Sequence, residues 1–176
     1  MSDGDAAGPR PTAGIGRWLA VSAAVVVVDQ ATKWLVASRL ALGDSIELLP
    51  VLNLVRAHNA GAAFSFLAGE SGWQRWLFVA IAVAASGFIV HLLRRHGREQ
   101  PFFALSLALI LGGALGNGID RLRLGHVIDF VDVHWRASHF AAFNVADSAI
   151  SVGAVCLVLD EFLRWRRQRR AAAPAA

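Results

Sequence analysis

Cysteine is nearly absent from this chain. The 176 residues contain one, Cys156, so no intrachain disulfide framework exists and cysteine says nothing about compartment. Charge is scarce too: 17% of residues are charged against 56% hydrophobic, and mean hydropathy is +0.49. So apolar a composition points away from an ordinary soluble domain and toward a membrane protein. Several signatures of chemistry are missing. There is no GxSxG elbow for a serine nucleophile and no HExxH, and the six histidines show no metal-ligand spacing, so neither a metal nor another cofactor is expected. Cys156 lies among Val and Leu, where a thiol stays protonated and inert. The pI near 10.9 comes without zinc-finger spacing, an RNP signature or a basic helix in a soluble context, which excludes a nucleic-acid partner.

Four apolar segments are present, at about Trp18–Ala37, Trp76–Leu93, Phe102–Ile119 and Phe143–Phe162. Each has roughly the 20 residues that a helix needs to cross a hydrocarbon core. Gly112, Gly113, Gly116 and Gly118 crowd the end of the third, and small residues let membrane helices approach closely. The first segment is too long for a signal-peptide core and contains Asp29 and Lys33, so it is expected to be retained. Residues 1–13 read as a disordered tail, 14–165 as one membrane domain, and 166–176 as a basic, Ala-rich tail.

Arginine placement sets the expected orientation. Arg10, Arg17, Arg94, Arg95, Arg98 and the run Arg164, Arg166, Arg167, Arg169 and Arg170 fall on one side, ten in all, against six spread through longer loops on the other. The positive-inside rule then places both termini in the cytoplasm, and the terminal run fixes topology or touches anionic lipid. Two loops lie outside, about 40–72 and 119–142. The first, with "SIELLPVLNLVRAHNAG", reads as short strands and turns.

Polar residues inside spans are costly unless paired, so they mark candidate sites. In "VVVVDQATKWL", Asp29 and Lys33 are spaced i, i+4, which brings them together as a pair that supports a site or holds helices. In "GNGIDRLRLGHVIDF", Asn117, Asp120 and Arg121 would align on a helix end, with Arg121 neutralising Asp120 in a structural role. In "FNVADSAIS", Asn144, Asp147, Ser148 and Ser151 form one polar stripe. Asp129 has no cation within three residues; Asp132, three residues on, would face the opposite side of an extended segment as a solvated or capping acid.

If Asp129 and Asp147 meet, their like charges keep both from ionising and they share one proton. The ionised acid can then take a proton from water while the protonated one polarises a carbonyl, which is the chemistry of aspartic peptide hydrolysis. Spacing permits this pairing without requiring it. A proton-coupled transporter and a non-enzymatic scaffold glued by polar clusters are the alternatives, although the inner halves of the spans offer few groups for a proton relay.

The stretches "DQATKWLV", "NAGAAFSF", "GGALGNGIDRLRLGHVIDFVDVHW" and "FNVADSAIS" together resemble the lipoprotein signal peptidase (signal peptidase II) family of bacterial membrane aspartic peptidases. The likeness runs from about Gly14 to Arg167 and is poorest at the tails and from Arg136 to Ala141. It implies four transmembrane helices and a small outer β-sheet, the cradle, drawn largely from residues 40–70. It also implies a bacterial inner-membrane enzyme, its site toward the outer face, that cleaves prolipoproteins just before a diacylglyceryl-modified cysteine. By the resemblance Asp129 and Asp147 are catalytic, and Asn117, Arg121 and Asn144 line the site. Asn59 and Gly61 match the substrate-facing turn, and Asp29 and Lys33 a supporting motif. The expected partners are the lipidated substrates and membrane lipids, around a monomeric chain.

Overall fold

The computed structural model describes residues 14–61, 72–136 and 138–171; the expected N-terminal tail, most of "NAGAAFSF" and the last five residues lie outside them. Eight elements follow in chain order: α1 Gly16–Arg39, β1 Ser45–Leu49, β2 Leu52–Asn59, α2 Trp73–His96, α3 Pro101–Leu124, β3 Val127–Trp135, β4 Ser138–His139 and α4 Val145–Ala171. The strands form an antiparallel sheet in the order β1-β2-β3-β4.

Helices α1, α2 and α3 are each long and apolar enough to cross a membrane. The fourth apolar segment also folds as a helix, α4, and its 27 residues carry the arginine run as their last turns. Helix α3 packs against each of the other three. Its small residues allow this: a methyl on Gly116 would lie 2.6 Å from Asp29 Oδ2, and one on Gly113 would collide with the Ala146 carbonyl oxygen. Gly112, Gly113 and Gly116 are therefore sites of close helix approach.

Two apolar clusters bracket the interior. At one end Trp18 of α1 packs with Ile89 and Leu93 of α2 and with Leu107 and Leu111 of α3. The Trp18 indole also donates to the Gly97 carbonyl at 2.8 Å, tying the start of α1 to the α2–α3 turn. At the other end Val36 of α1 and Leu40, which caps it, pack on Phe130 of β3, which seats the sheet on the helix ends. Arg56 of β2 reinforces that seat by donating to the carbonyls of Ala37 and Leu40 at 3.0 and 2.9 Å, two acceptors left open where α1 stops.

The second outer loop is shorter than the sequence suggests. Helix α3 continues past Ile119 to Leu124 and stops at Gly125, whose φ of +84° is the left-handed conformation glycine adopts readily. The polar character of "NGIDR" hid this last helical turn, because those side chains point to internal partners rather than to lipid. Among the described residues the 40–70 region supplies β1 and β2, and 127–139 adds β3 and β4 to the same sheet. Strands β1 and β2 turn at Pro50–Val51, as the proline indicates.

Gly113→Ala should lower stability by roughly 1–3 kcal/mol, through forced separation of α3 and α4. Gly87→Ala in α2, where an added methyl meets nothing within 4 Å, should not. Thermal unfolding of the two purified variants in detergent measures the contrast.

Candidate active site

The site begins with an ion cluster buried between α1 and α3. The Lys33 ammonium lies 2.8 Å from Asp29 Oδ2, 2.8 Å from Asp120 Oδ2 and 2.9 Å from Asn117 Oδ1, so each of its three protons has an acceptor. Asp29 is fully buried and Lys33 is 2% exposed. Such charges persist only when every member is matched, as here. Asp29 Oδ1 also accepts from the Ala146 backbone N–H at 2.9 Å, so a carboxylate of α1 holds the first turn of α4, where N–H groups lack helical partners.

Asp120 is part of this cluster, and its expected pairing with Arg121 does not form. Consecutive helical residues point about 100° apart, which sends Asp120 to Lys33 and Arg121 to the other side. Asp120 also accepts from the Gln30 amide at 2.8 Å and from the Ile128 N–H at 3.3 Å, joining α1, α3 and the start of β3. Arg121 instead donates to the Gly61 carbonyl at 2.7 Å and stacks over Phe78, 4.8 Å from the ring centre. Gly61 closes the "NAG" turn by donating its N–H to Asn59 Oδ1 at 3.0 Å.

Above the cluster, Asp129 of β3 and Asp147 of α4 line one cavity of about 540 Å³, together with Asn59, Asn117, Arg121 and Phe143. Asn144 joins the two acids. Its amide donates to Asp129 Oδ1 at 2.7 Å, while its backbone N–H donates to Asp147 Oδ2 at 3.2 Å and the Asp147 N–H returns to Asn144 Oδ1 at 2.9 Å. That exchange is the reciprocal box made when a capping residue is followed three positions later by an acid. Asn144 immediately precedes α4, so helix initiation itself aims Asp147 back toward β3. The Asn117 amide donates to Asp147 Oδ1 at 2.7 Å, and the Asn59 amide to Asp129 Oδ2 at 3.1 Å.

Asp129 is 3% exposed, and burial raises its pKa from 3.8 to about 6. The nearby charge of Asp147 adds to the rise, against the amides of Asn59 and Asn144 and the charge of Lys33. Asp132 points to the opposite face of β3, as strand alternation requires. It is not solvated, being 7% exposed, bonded to the Asn53 amide at 2.9 Å and paired with His139 Nδ1 at 2.9 Å. Burial alone would raise its pKa; these partners outweigh that and hold it below the usual value. The acid is thereby used to fasten β2 and β4 to β3.

Sequence reasoning did not single out Gln30 or His139. Gln30 stands beside Asp29 as an amide within an apolar span, a signal strong enough to have marked it. His139 carried no such signal, because its partner is set by the β3–β4 pairing. Among the described residues, no group of three or more His, Cys, Asp or Glu is arranged to hold a metal ion.

The family model described as signal peptidase (SPase) II matches residues 21–163. The lipoprotein signal peptidase of Ralstonia nicotianae is 53% identical over 154 residues, 88% of this chain and 88% of that protein. The lipoprotein signal peptidase of Paraburkholderia phymatum is 53% identical over 161 residues, 91% of this chain and 96% of that one. A solved bacterial membrane enzyme superposes with a TM-score of 0.78 at 29% identity, covering 92% of this chain and 96% of its own.

A pH dependence follows from Asp129. Its folded-state pKa lies above its unfolded one, so the stability its neutral form contributes is complete below about pH 4 and is lost as pH rises through about 6. The rise corresponds to at most about 3 kcal/mol. Thermal unfolding of Asp129→Asn and the parent at pH 4 and pH 7 should show the variant gaining on the parent at pH 7. An unchanged difference between the two pH values would contradict the burial of an ionisable acid there.

Proposed function

The chain belongs to the signal peptidase II family, and from that membership we propose that it is an aspartic endopeptidase that removes signal peptides from diacylglyceryl-modified prolipoproteins. Cleavage falls just before the lipidated cysteine. The observation that carries the catalytic assignment is the convergence of Asp129 and Asp147 on one cavity, both bonded to Asn144.

The pair holds one proton, because two carboxylates lining one largely buried cavity resist ionising together. A water between them loses a proton to the ionised acid and attacks the scissile carbonyl carbon, while the protonated acid donates to the carbonyl oxygen. Collapse of the tetrahedral intermediate breaks the C–N bond. As it collapses, a hydroxyl of the intermediate returns its proton to the acid that had donated one, while the proton taken from water passes to the leaving amine, so the pair again holds one proton. The amides of Asn59, Asn117 and Asn144 hold the carboxylate oxygens in place, and Arg121 holds the "NAG" turn at the cavity edge. Asp29, Lys33 and Asp120 support these groups from below.

The cavity also fits the substrate class. Acyl chains confine the modified cysteine to the bilayer, so its peptide bond arrives near an interface. Phe140, Phe143, Ile150 and Val152 give the cavity an apolar wall for that approach. In this reading α4 is the fourth span, and the 14–165 unit is a monomeric enzyme of the bacterial inner membrane. The arginine-rich ends face the cytoplasm and the sheet faces outward.

Purified protein in detergent should cleave a diacylglyceryl-modified prolipoprotein and leave the unmodified precursor intact. Asp129→Asn and Asp147→Asn should each lower kcat by about 100- to 10,000-fold with folding preserved. Full activity in either folded variant would remove that acid from the mechanism, and loss of activity in EDTA would bring in a metal.

A further inference from the structure

The amide orientations around the two acids are set by groups that can only donate. Asn117 has one oxygen and one NH₂, and its orientation decides which of them faces Asp147. The Lys33 ammonium has three donors and no acceptor, so the amide group turned toward it must be the oxygen. The NH₂ is then left to face Asp147 Oδ1 at 2.7 Å. Asn144 is fixed in the same way from another direction: the backbone N–H of Asp147 requires its oxygen, and its NH₂ turns to Asp129. The two networks meet where Asn144 Nδ2 also donates to Asn117 Oδ1 at 3.2 Å.

A flipped Asn117 would set NH₂ against the ammonium, and oxygen against Asp147. The first contact pairs donor with donor. The second is matched only when Asp147 carries a proton, whereas the observed orientation is matched to its carboxylate. Lys33 is well placed to enforce the choice, because it is 2% exposed and each of its three protons already has a protein acceptor.

We propose that Lys33 is a positioning residue for peptide hydrolysis, acting through the Asn117 amide to keep a hydrogen-bond donor against Asp147. Its role thus exceeds neutralising Asp29 and Asp120. This rests on the aspartic peptidase reading above.

The test separates positioning from neutralisation. Lys33→Met alone strands two buried acids, so it is combined with Asp29→Asn and Asp120→Asn, which removes all three charges. If Lys33 positions Asn117, this folded triple variant should cleave lipidated prolipoprotein with kcat down about 100-fold and KM little changed. Adding Asn117→Leu should then cost little more, because both changes remove the same donor from Asp147. A folded triple variant with kcat near the parent's would overturn the proposal and leave Lys33 a counter-ion. Should the triple variant not fold, Asn117→Asp decides. It still accepts from Lys33 but presents an oxygen to Asp147, so kcat should fall by a similar factor, and an unchanged kcat would overturn the orientation. Failure of the peptidase reading looks different, since the parent itself would then not cleave, or would cleave without Asp129 or Asp147.

Discussion

One ammonium group, that of Lys33, organises this interior. With all three of its protons accepted by Asp29, Asp120 and Asn117, it binds α1 to α3. The same carboxylate of Asp29 reaches the first turn of α4. Helix packing and site geometry therefore share one set of bonds. The close approach at Gly116 belongs to this constraint, since a side chain there would displace Asp29. Apolar packing holds the two ends of the bundle, at Trp18 and at Phe130, while the middle is fastened by charge-assisted hydrogen bonds.

The acids that line the cavity are supported by different means. Asp147 is delivered by helix initiation, through its exchange with Asn144. Asp129 is delivered by a strand whose other face is fastened by Asp132 to Asn53 and His139. The two deliveries meet at Asn144, which is bonded to both acids, while the Asn59 and Asn117 amides hold one oxygen of each.

Much of this was legible in the sequence, for physical reasons. Asp29 and Lys33 lie four apart in an apolar run, and both helical spacing and the cost of unpaired charge in lipid required their pairing. The apolar lengths that announced the helices are equally local. What depended on the third dimension was missed. Adjacent numbering suggested Asp120 with Arg121, but helical rotation separates them. Asp132 was read as solvated because nothing nearby in sequence reveals His139 folding back through the β3–β4 pairing. The end of α3 was placed near Ile119, short of Leu124, because polar residues in a span resemble loop residues until their buried partners are known.

The bond from Asp29 to the Ala146 N–H joins α1 to α4, far later in the chain. During synthesis Asp129 emerges before α4, but without α4 it has neither Asn144 nor Asp147 beside it. In the proposed enzyme both acids of the pair are therefore in place only once α4 has docked on α1.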